Sequence, residues 1–184
     1  MATPEDAGAL PLPRLAPPPK LLIVAAPFYR PVADGLIAGA RAVLDAARAR
    51  HELIEVPGAL EVPVAIRLAS ETGAWEGYVA LGCVIRGETT HYEHVCTESA
   101  RGLTLLGVER GLAVGNGILT CESMAQAEAR ADPRGMDKGG GAAAAALHLV
   151  ALTRRFRGAP GRGSPLVPND DILLAGDSRR RGRT

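Results

Sequence analysis

Arg86-Gly87-Glu88-Thr89-Thr90-His91 sets a guanidinium, a glycine, a carboxylate, two hydroxyls and an imidazole side by side. Such a composition suits the handling of an anion with a proton acceptor close at hand. An apolar run, residues 78–85, enters this turn, and an amphipathic segment running from 91 to about 110 leaves it. The turn is therefore expected to open a helix, where free amide hydrogens and the positive end of the macrodipole attract negative charge. Arg86 and the threonine hydroxyls would strengthen a phosphate or carboxylate site. His91 falls in the first helical turn, where the dipole disfavours its cationic form, so it is expected to be neutral and able to accept a proton. The same residues also have a reading without function. Thr90-His91-Tyr92-Glu93 matches the capping box S/T-x-x-E, which does no more than start a helix. His94 completes an HxxH pair, but nothing supplies a third ligand, and no metal site is expected.

Three further places carry usable chemistry. Phe28 stands between an apolar run and a helix, either as a staple for the helix entry or as a flat platform for a planar ring. Glu61 follows Pro57-Gly58-Ala59-Leu60 at another helix beginning. Its carboxylate either complements the dipole or accepts hydroxyl protons from a polyol. Arg130 and Lys138 flank a break at Asp132-Pro133-Arg134-Gly135. They are either helix-end cations favoured by the dipole or, together with Arg134, partners for a phosphate.

The elements that must position these groups can be read from apolar periodicity. Residues 21–26 form an unbroken apolar run, the pattern of a strand covered on both faces. Pro31 suits the first turn of a helix, and Val32, Leu36, Ile37, Ala40, Val43, Leu44 and Ala47 follow at helical spacing. A second strand over 52–56 precedes a helix over 60–70 whose apolar positions are 60, 64, 65 and 68. The third strand is 78–85 and the third helix 91 to about 110. A fourth strand, 112–120, contains Gly115 and Gly117, where a backbone or a ligand approaches closely. A helix over 123–131 follows, then Gly139-Gly140-Gly141, then a last helix from about 142 to 156. Alternating strands and helices with short connections imply parallel strands joined by right-handed crossovers. The expectation is an α/β three-layer sandwich with a four-stranded parallel sheet and helices on both faces. Ligands of such sheets bind beyond the carboxyl ends of the strands. Phe28, Glu61, the 86–91 turn and residues 120–122 all follow strand ends.

Composition narrows the setting. A hydrophobic content of 47% against 22% charged residues is that of a globular chain with one real core. With 3% aromatics, that core must be built from aliphatic side chains and alanine. The net charge of +1 gives no argument for nucleic acid. Cys83, Cys96 and Cys121 contain no CxxC pair and read as reduced thiols in a cytoplasmic protein. No apolar run is long enough to span a membrane. Residues 1–20, rich in proline, read as an arm, 21–157 as the folded domain, and 158–184 as a mostly disordered tail. The tail's SRRRGRT end could touch nucleic acid, although a solvated tail is the simpler reading.

Taken together, VPGALEVPVA (56–65), ALGCVIRGETTHYEHVC (80–96), GNGILTCESMAQAEARA (115–131) and DKGG (137–140) resemble the 6,7-dimethyl-8-ribityllumazine synthase family of riboflavin biosynthesis. With Phe28 they cover residues 21–156 in the right order, and the VIRGxTTHYxxVC pattern is long and specific. The resemblance implies a flavodoxin-like strand order and a reaction without metal or cofactor. In it, 5-amino-6-(D-ribitylamino)uracil condenses with 3,4-dihydroxy-2-butanone 4-phosphate through an imine, loss of phosphate and ring closure. It further implies that Phe28 stacks on the pyrimidine, that Gly58, Ala59 and Glu61 hold the ribityl chain, and that Cys83, Val84 and Ile85 line the ring site through backbone groups. Gly87, Glu88, Thr89 and Thr90 would receive the phosphate and His91 would transfer protons. Asn116, Arg130 and Lys138 match what the family draws from a neighbouring subunit, Arg130 as the phosphate partner. Homopentamers or their multiples are implied, with riboflavin synthase as a further partner of the family.

Four positions depart from the family pattern. Glu88 sets a carboxylate beside the phosphate turn, Asn116 replaces an aromatic, Asp137 an asparagine, and Gly141 an acidic residue that could orient the histidine. They motivate an alternative: a pentamer or shell of the same fold that holds flavin-like ligands with little or no turnover. The proline run also limits any strand that the arm could add to a neighbouring sheet.

Overall fold

The computed structural model describes residues 10–158. The alternation of elements gives β1 (Lys20–Ala25), α1 (Arg30–Ala46), β2 (Arg50–Glu55), α2 (Glu61–Ser70), β3 (Gly77–Ile85), α3 (His91–Arg110), β4 (Ala113–Cys121), α4 (Met124–Ala131) and α5 (Lys138–Arg157). The four strands are parallel and lie in the order β2-β1-β3-β4, the flavodoxin-like arrangement expected. Side chains alternate across each strand. Leu21, Ile23, Ala25, Val79 and Leu81 therefore pack with Leu36, Ala40, Ala143 and Leu147 on the α1, α4 and α5 face. Leu22, Val24, Tyr78 and Ala80 pack with Val62, Ile66, Leu103 and Leu106 on the α2 and α3 face. The tail and the first nine residues lie outside the described residues.

Two details differ from the periodicity reading. The last helix begins at Lys138, not near 142, so the three glycines form its first turn. They are there because the helix is pressed backbone to backbone against its neighbours. A Cβ on Gly139 would lie 2.0 Å from the Leu36 carbonyl oxygen. Likewise, a Cβ on Gly115 of β4 would lie 1.9 Å from the Ala142 carbonyl oxygen. The close approach expected at Gly115 is thus made by a backbone, that of α5. Asp137 sits left-handed at φ 40° and caps this start, accepting from the Gly140 amide at 2.9 Å.

The second difference concerns α2. Its buried residues are Val62 and Ile66, while Leu60, Val64 and Leu68 are exposed. The helix carries two apolar stripes. The core of the chain covers 62 and 66 and leaves the 60, 64, 68 stripe open; Leu105 and Val108 of α3 are also exposed.

Candidate active site

Strand lengths create the first part of the site. β1 ends at Ala25, paired with Glu55 on one side and Leu81 on the other. β3 runs on to Ile85, paired there only with Cys121 of β4. Beyond Leu81, the β1 side of β3 is therefore an open edge at the point where strand order reverses, where ligands of such sheets bind. The direction of its groups follows from two bonds. The Leu81 carbonyl accepts from Ala26 N at 2.8 Å, and Arg86 N donates across the other edge to Cys121 O at 3.0 Å. Backbone groups alternate sides along a strand. Cys83 and Ile85 thus each turn an N–H and a C=O into the crevice, a donor and acceptor row suited to a planar amide-bearing ring. The Cys83 side chain is buried in the core instead, and burial pushes its thiol up to about 12, with Cys121 adding to the shift. At neutral pH it is a protonated core residue.

The loops after β1 and β2 border this crevice. Phe28 is 73% exposed and touches Tyr29 edge to face, with ring centroids 5.0 Å apart. It is not buried as a staple; a face of its ring is available for stacking. Ala59 is buried, and Glu61 opens α2. The carboxylate of Glu61 folds back over Gly58: a Cβ on that glycine would come within 2.9 Å of Oε2. Gly58 is what lets the carboxylate lie there.

The turn after β3 departs from expectation in its cap. Thr90 has helical dihedrals (φ −68°, ψ 0°), and no side chain caps α3. The capping box does not form because Glu93 is held elsewhere, by the Arg86 guanidinium. A second carboxylate, Glu122 at the end of β4, accepts from Arg86 Nε at 2.7 Å, and the Tyr92 ring lies under the guanidinium at 4.3 Å. The hydrogen bonds that Arg86 donates to Glu122 and then to Glu93 raise its pKa, and the bond from Arg86 holds Glu93 below the usual carboxylate range. Arg86 is thus already occupied and is not the free phosphate ligand that its position in sequence suggests. The helix start itself is uncapped, and Gly87, Glu88, Thr89, Thr90 and His91 are all exposed. Thr89 Oγ1 accepts only a long bond, 3.4 Å, from His91 N.

Asn116, Arg130 and Lys138 lie elsewhere. Together with Gly117, Ile118 and Gly141 they line a cavity of about 320 Å³ at the free edge of β4. Asn116 pairs with Ala80 in the middle of the sheet. At about 3.3 Å per residue it sits roughly 16 Å short of the strand end where the 86–91 turn begins. Arg130 donates to the Gln126 carbonyl at 3.0 Å and pairs with no carboxylate among the described residues. Lys138 is the first residue of α5, the positive end of a helix, where the dipole opposes a cation. Of the two bland readings, the one for Arg130 stands on geometry, since it ends α4, whereas that for Lys138 does not. A Cβ on Gly141 would meet nothing within 4 Å, so its lack of a side chain opens the cavity and answers no packing need.

A second cavity, about 670 Å³, is at the other end of the sheet, bounded by Trp75, Tyr78, Arg154 and Arg157. None of the groups considered above reaches it. Among the described residues no group of three or more His, Cys, Asp or Glu could hold a metal ion, and no helix is long and apolar enough to cross a membrane.

An open parallel sheet with a crevice at its switch point and an uncapped helix start beside it defines an α/β protein that binds small molecules at its strand ends. Its family follows from comparison: the sequence profile of 6,7-dimethyl-8-ribityllumazine synthase matches residues 18–154, and the chain belongs to that family. It is 51% identical over 167 residues to the 6,7-dimethyl-8-ribityllumazine synthase of Jannaschia sp. (strain CCS1), covering 91% of this chain and 93% of the relative. With the protein of the same name from Methylobacterium radiotolerans it shares 54% over 140 residues, 76% of this chain and 85% of the other. With that from Novosphingobium aromaticivorans it shares 56% over 137 residues, 74% and 98%.

Proposed function

We propose that this protein condenses 5-amino-6-(D-ribitylamino)uracil with 3,4-dihydroxy-2-butanone 4-phosphate to give 6,7-dimethyl-8-ribityllumazine, phosphate and water. The observation that carries the reading is the open edge of β3, which offers paired backbone donors and acceptors beside an exposed phenylalanine and an uncapped helix start. The Cys83 and Ile85 backbone groups match the amide edge of the pyrimidine, with Phe28 against its face. Glu61, seated over Gly58, accepts from the ribityl hydroxyls.

The 5-amino group attacks the butanone carbonyl and water leaves, giving the imine. His91 then takes a proton from the carbon next to the imine, and the electron pair expels the phosphate. Charge growing on that leaving group is met by the helix start at 87–90 and, in the assembled protein, by Arg130. The enol left by that elimination takes up a proton at its terminal carbon and becomes a ketone, on which the ribityl-bearing nitrogen closes the ring with loss of a second water. No side chain needs to become covalently attached.

Within a subunit, the roughly 16 Å that separates Asn116 from the strand ends argues that one subunit's 86–91 turn works with another subunit's Asn116, Arg130 and Lys138. Two further observations support a homo-oligomer, and the family implies a pentamer. The stripe of Leu60, Val64 and Leu68 on α2 leaves an apolar face uncovered. The whole turn is open to water, whereas expulsion of phosphate gains from a closed site. The three free thiols fit a reducing, cytoplasmic setting. The names of the relatives favour the enzyme over an inert flavin-holding shell. Purified protein given both substrates should form the lumazine, followed by its fluorescence, well above the spontaneous rate. A rate equal to the uncatalysed condensation would overturn the reading.

A further inference from the structure

We infer that Arg86 is a positioning residue for this reaction: clamped between Glu93 and Glu122 above the Tyr92 ring, it holds the phosphate-receiving turn in shape without touching substrate. The inference rests on the proposed function and deepens it. The turn 87–90 contains a glycine, its helix has no side-chain cap, and its one hydroxyl contact is long. Nothing inside the turn fixes it, so its shape must come from its two ends.

Arg86 binds both ends and a third element. Its backbone N–H donates to Cys121 O at 3.0 Å, which continues the β3–β4 ladder one step past the strand. Its guanidinium holds Glu93 in the first turn of α3 and Glu122 at the start of the loop into α4, the latter at 2.7 Å. The Tyr92 ring at 4.3 Å fixes the plane of the guanidinium. Glu122 is itself tied to α4, its amide donating to Gln126 Oε1 at 3.0 Å, and Gln126 O is the acceptor for Arg130. One planar fork thus joins the turn to the helix that carries the half-buried Arg130. A lysine lacks the rigid planar fork that meets two carboxylates in fixed directions while its face lies on a ring.

The test exploits the competition between substrate phosphate and the two glutamates. Glu122→Gln and Glu93→Gln are isosteric changes at exposed positions and should fold. If Arg86 only positions the turn, loosening it raises the KM for the butanone phosphate, by roughly tenfold for Arg86→Gln and less for either glutamine variant. The KM for the pyrimidine should stay within about twofold, since Phe28 and Glu61 are untouched. If instead Arg86 binds phosphate, freeing it from a glutamate should lower that KM. A lower or unchanged KM in both glutamine variants, or full rescue by Arg86→Lys, overturns the inference. Direct binding of inorganic phosphate, measured by calorimetry, gives a second readout that needs no turnover and should weaken in parallel. Failure of the unmodified protein to catalyse the reaction at all would count against the proposed function, and the phosphate measurement would still decide the role of Arg86.

Discussion

Arg130 is the residue whose removal should speak most selectively. It has no carboxylate partner among the described residues, so Arg130→Ala leaves no buried charge behind and should cost little stability. A charge-assisted bond to phosphate is worth about 1.5–3 kcal/mol. The KM for the butanone phosphate should therefore rise about 10- to 100-fold while that for the pyrimidine stays nearly constant. Steady-state kinetics with each substrate varied in turn will show it, and equal effects on both would remove Arg130 from the phosphate. His91→Gln should act differently, lowering kcat by roughly 10- to 100-fold with little change in either KM, as expected of a proton-transfer group. Cys83 should be silent. Its thiol, pushed up to about 12 by burial and by Cys121, should not react with a thiol reagent at pH 8 until the protein is unfolded. A labelling time course in native and denaturing buffer checks this.

At the scale of elements, the glycines divide into those the packing needs and those it does not. Gly115→Ala would drive a methyl group into the Ala142 carbonyl of α5, and with backbone on both sides the cost should be about 3 kcal/mol or more. Gly141→Ala meets open space in the first turn of the same helix and should stabilise it by about 0.5–1 kcal/mol. Thermal unfolding of the two variants should thus move in opposite directions. The fold was legible because strand and helix periods differ and each strand ended at a turn signal, which fixed α3 to its ends at His91 and Arg110. The start of α5 was not legible, because three glycines read locally as a loop. Only the position of Leu36, a hundred residues earlier in the chain, makes them a helix. Glu93 misled for a similar reason: its spacing from Thr90 is that of a capping box, but Arg86 competes for it. Which of two apolar stripes on α2 faces the core cannot be decided from one helix, since both have the correct period. The strand-end placement of Phe28, Glu61 and the 86–91 turn was legible, whereas the separation of Asn116, Arg130 and Lys138 from them depends on which strand is at the border of the sheet.

For the molecule as a whole, the exposed stripe on α2 should be where assembly is most easily broken. Val64→Asp should yield subunits with native helix content by circular dichroism, a solution mass reduced to that of a monomer, and no lumazine formation. A monomer that retained activity would show that one chain holds a complete site. Acid sensitivity has a local origin at the opposite pole. Arg154 of α5 donates to both oxygens of Glu76 at 2.8 Å and to the Pro17 carbonyl at 2.7 Å, tying α5 to the arm and to the entry of β3. The hydrogen bond from Arg154 holds Glu76 below its ordinary value. A carboxylate lowered in the folded state contributes stability above its unfolded pKa and loses it as pH falls through the folded one. Glu76→Gln should therefore lower the unfolding midpoint at pH 7 and leave it nearly unchanged at pH 3.

The separation of Asn116, Arg130 and Lys138 from the strand-end groups has a consequence for mixtures. In the shared site proposed above, a defect at His91 and a defect at Arg130 would spoil different halves, so each impaired variant would carry the half that the other lacks. Subunits of the two, unfolded together and allowed to reassemble, should regain activity well above that of either parent. With random neighbours, about one interface in four pairs two sound halves, which sets the recovery near a quarter of the unmodified protein. Combining both changes in one chain and mixing it with unmodified subunits gives a contrasting control, in which activity falls with dose and nothing is rescued. The arithmetic of neighbours thus becomes a way to count how many chains make one catalytic centre.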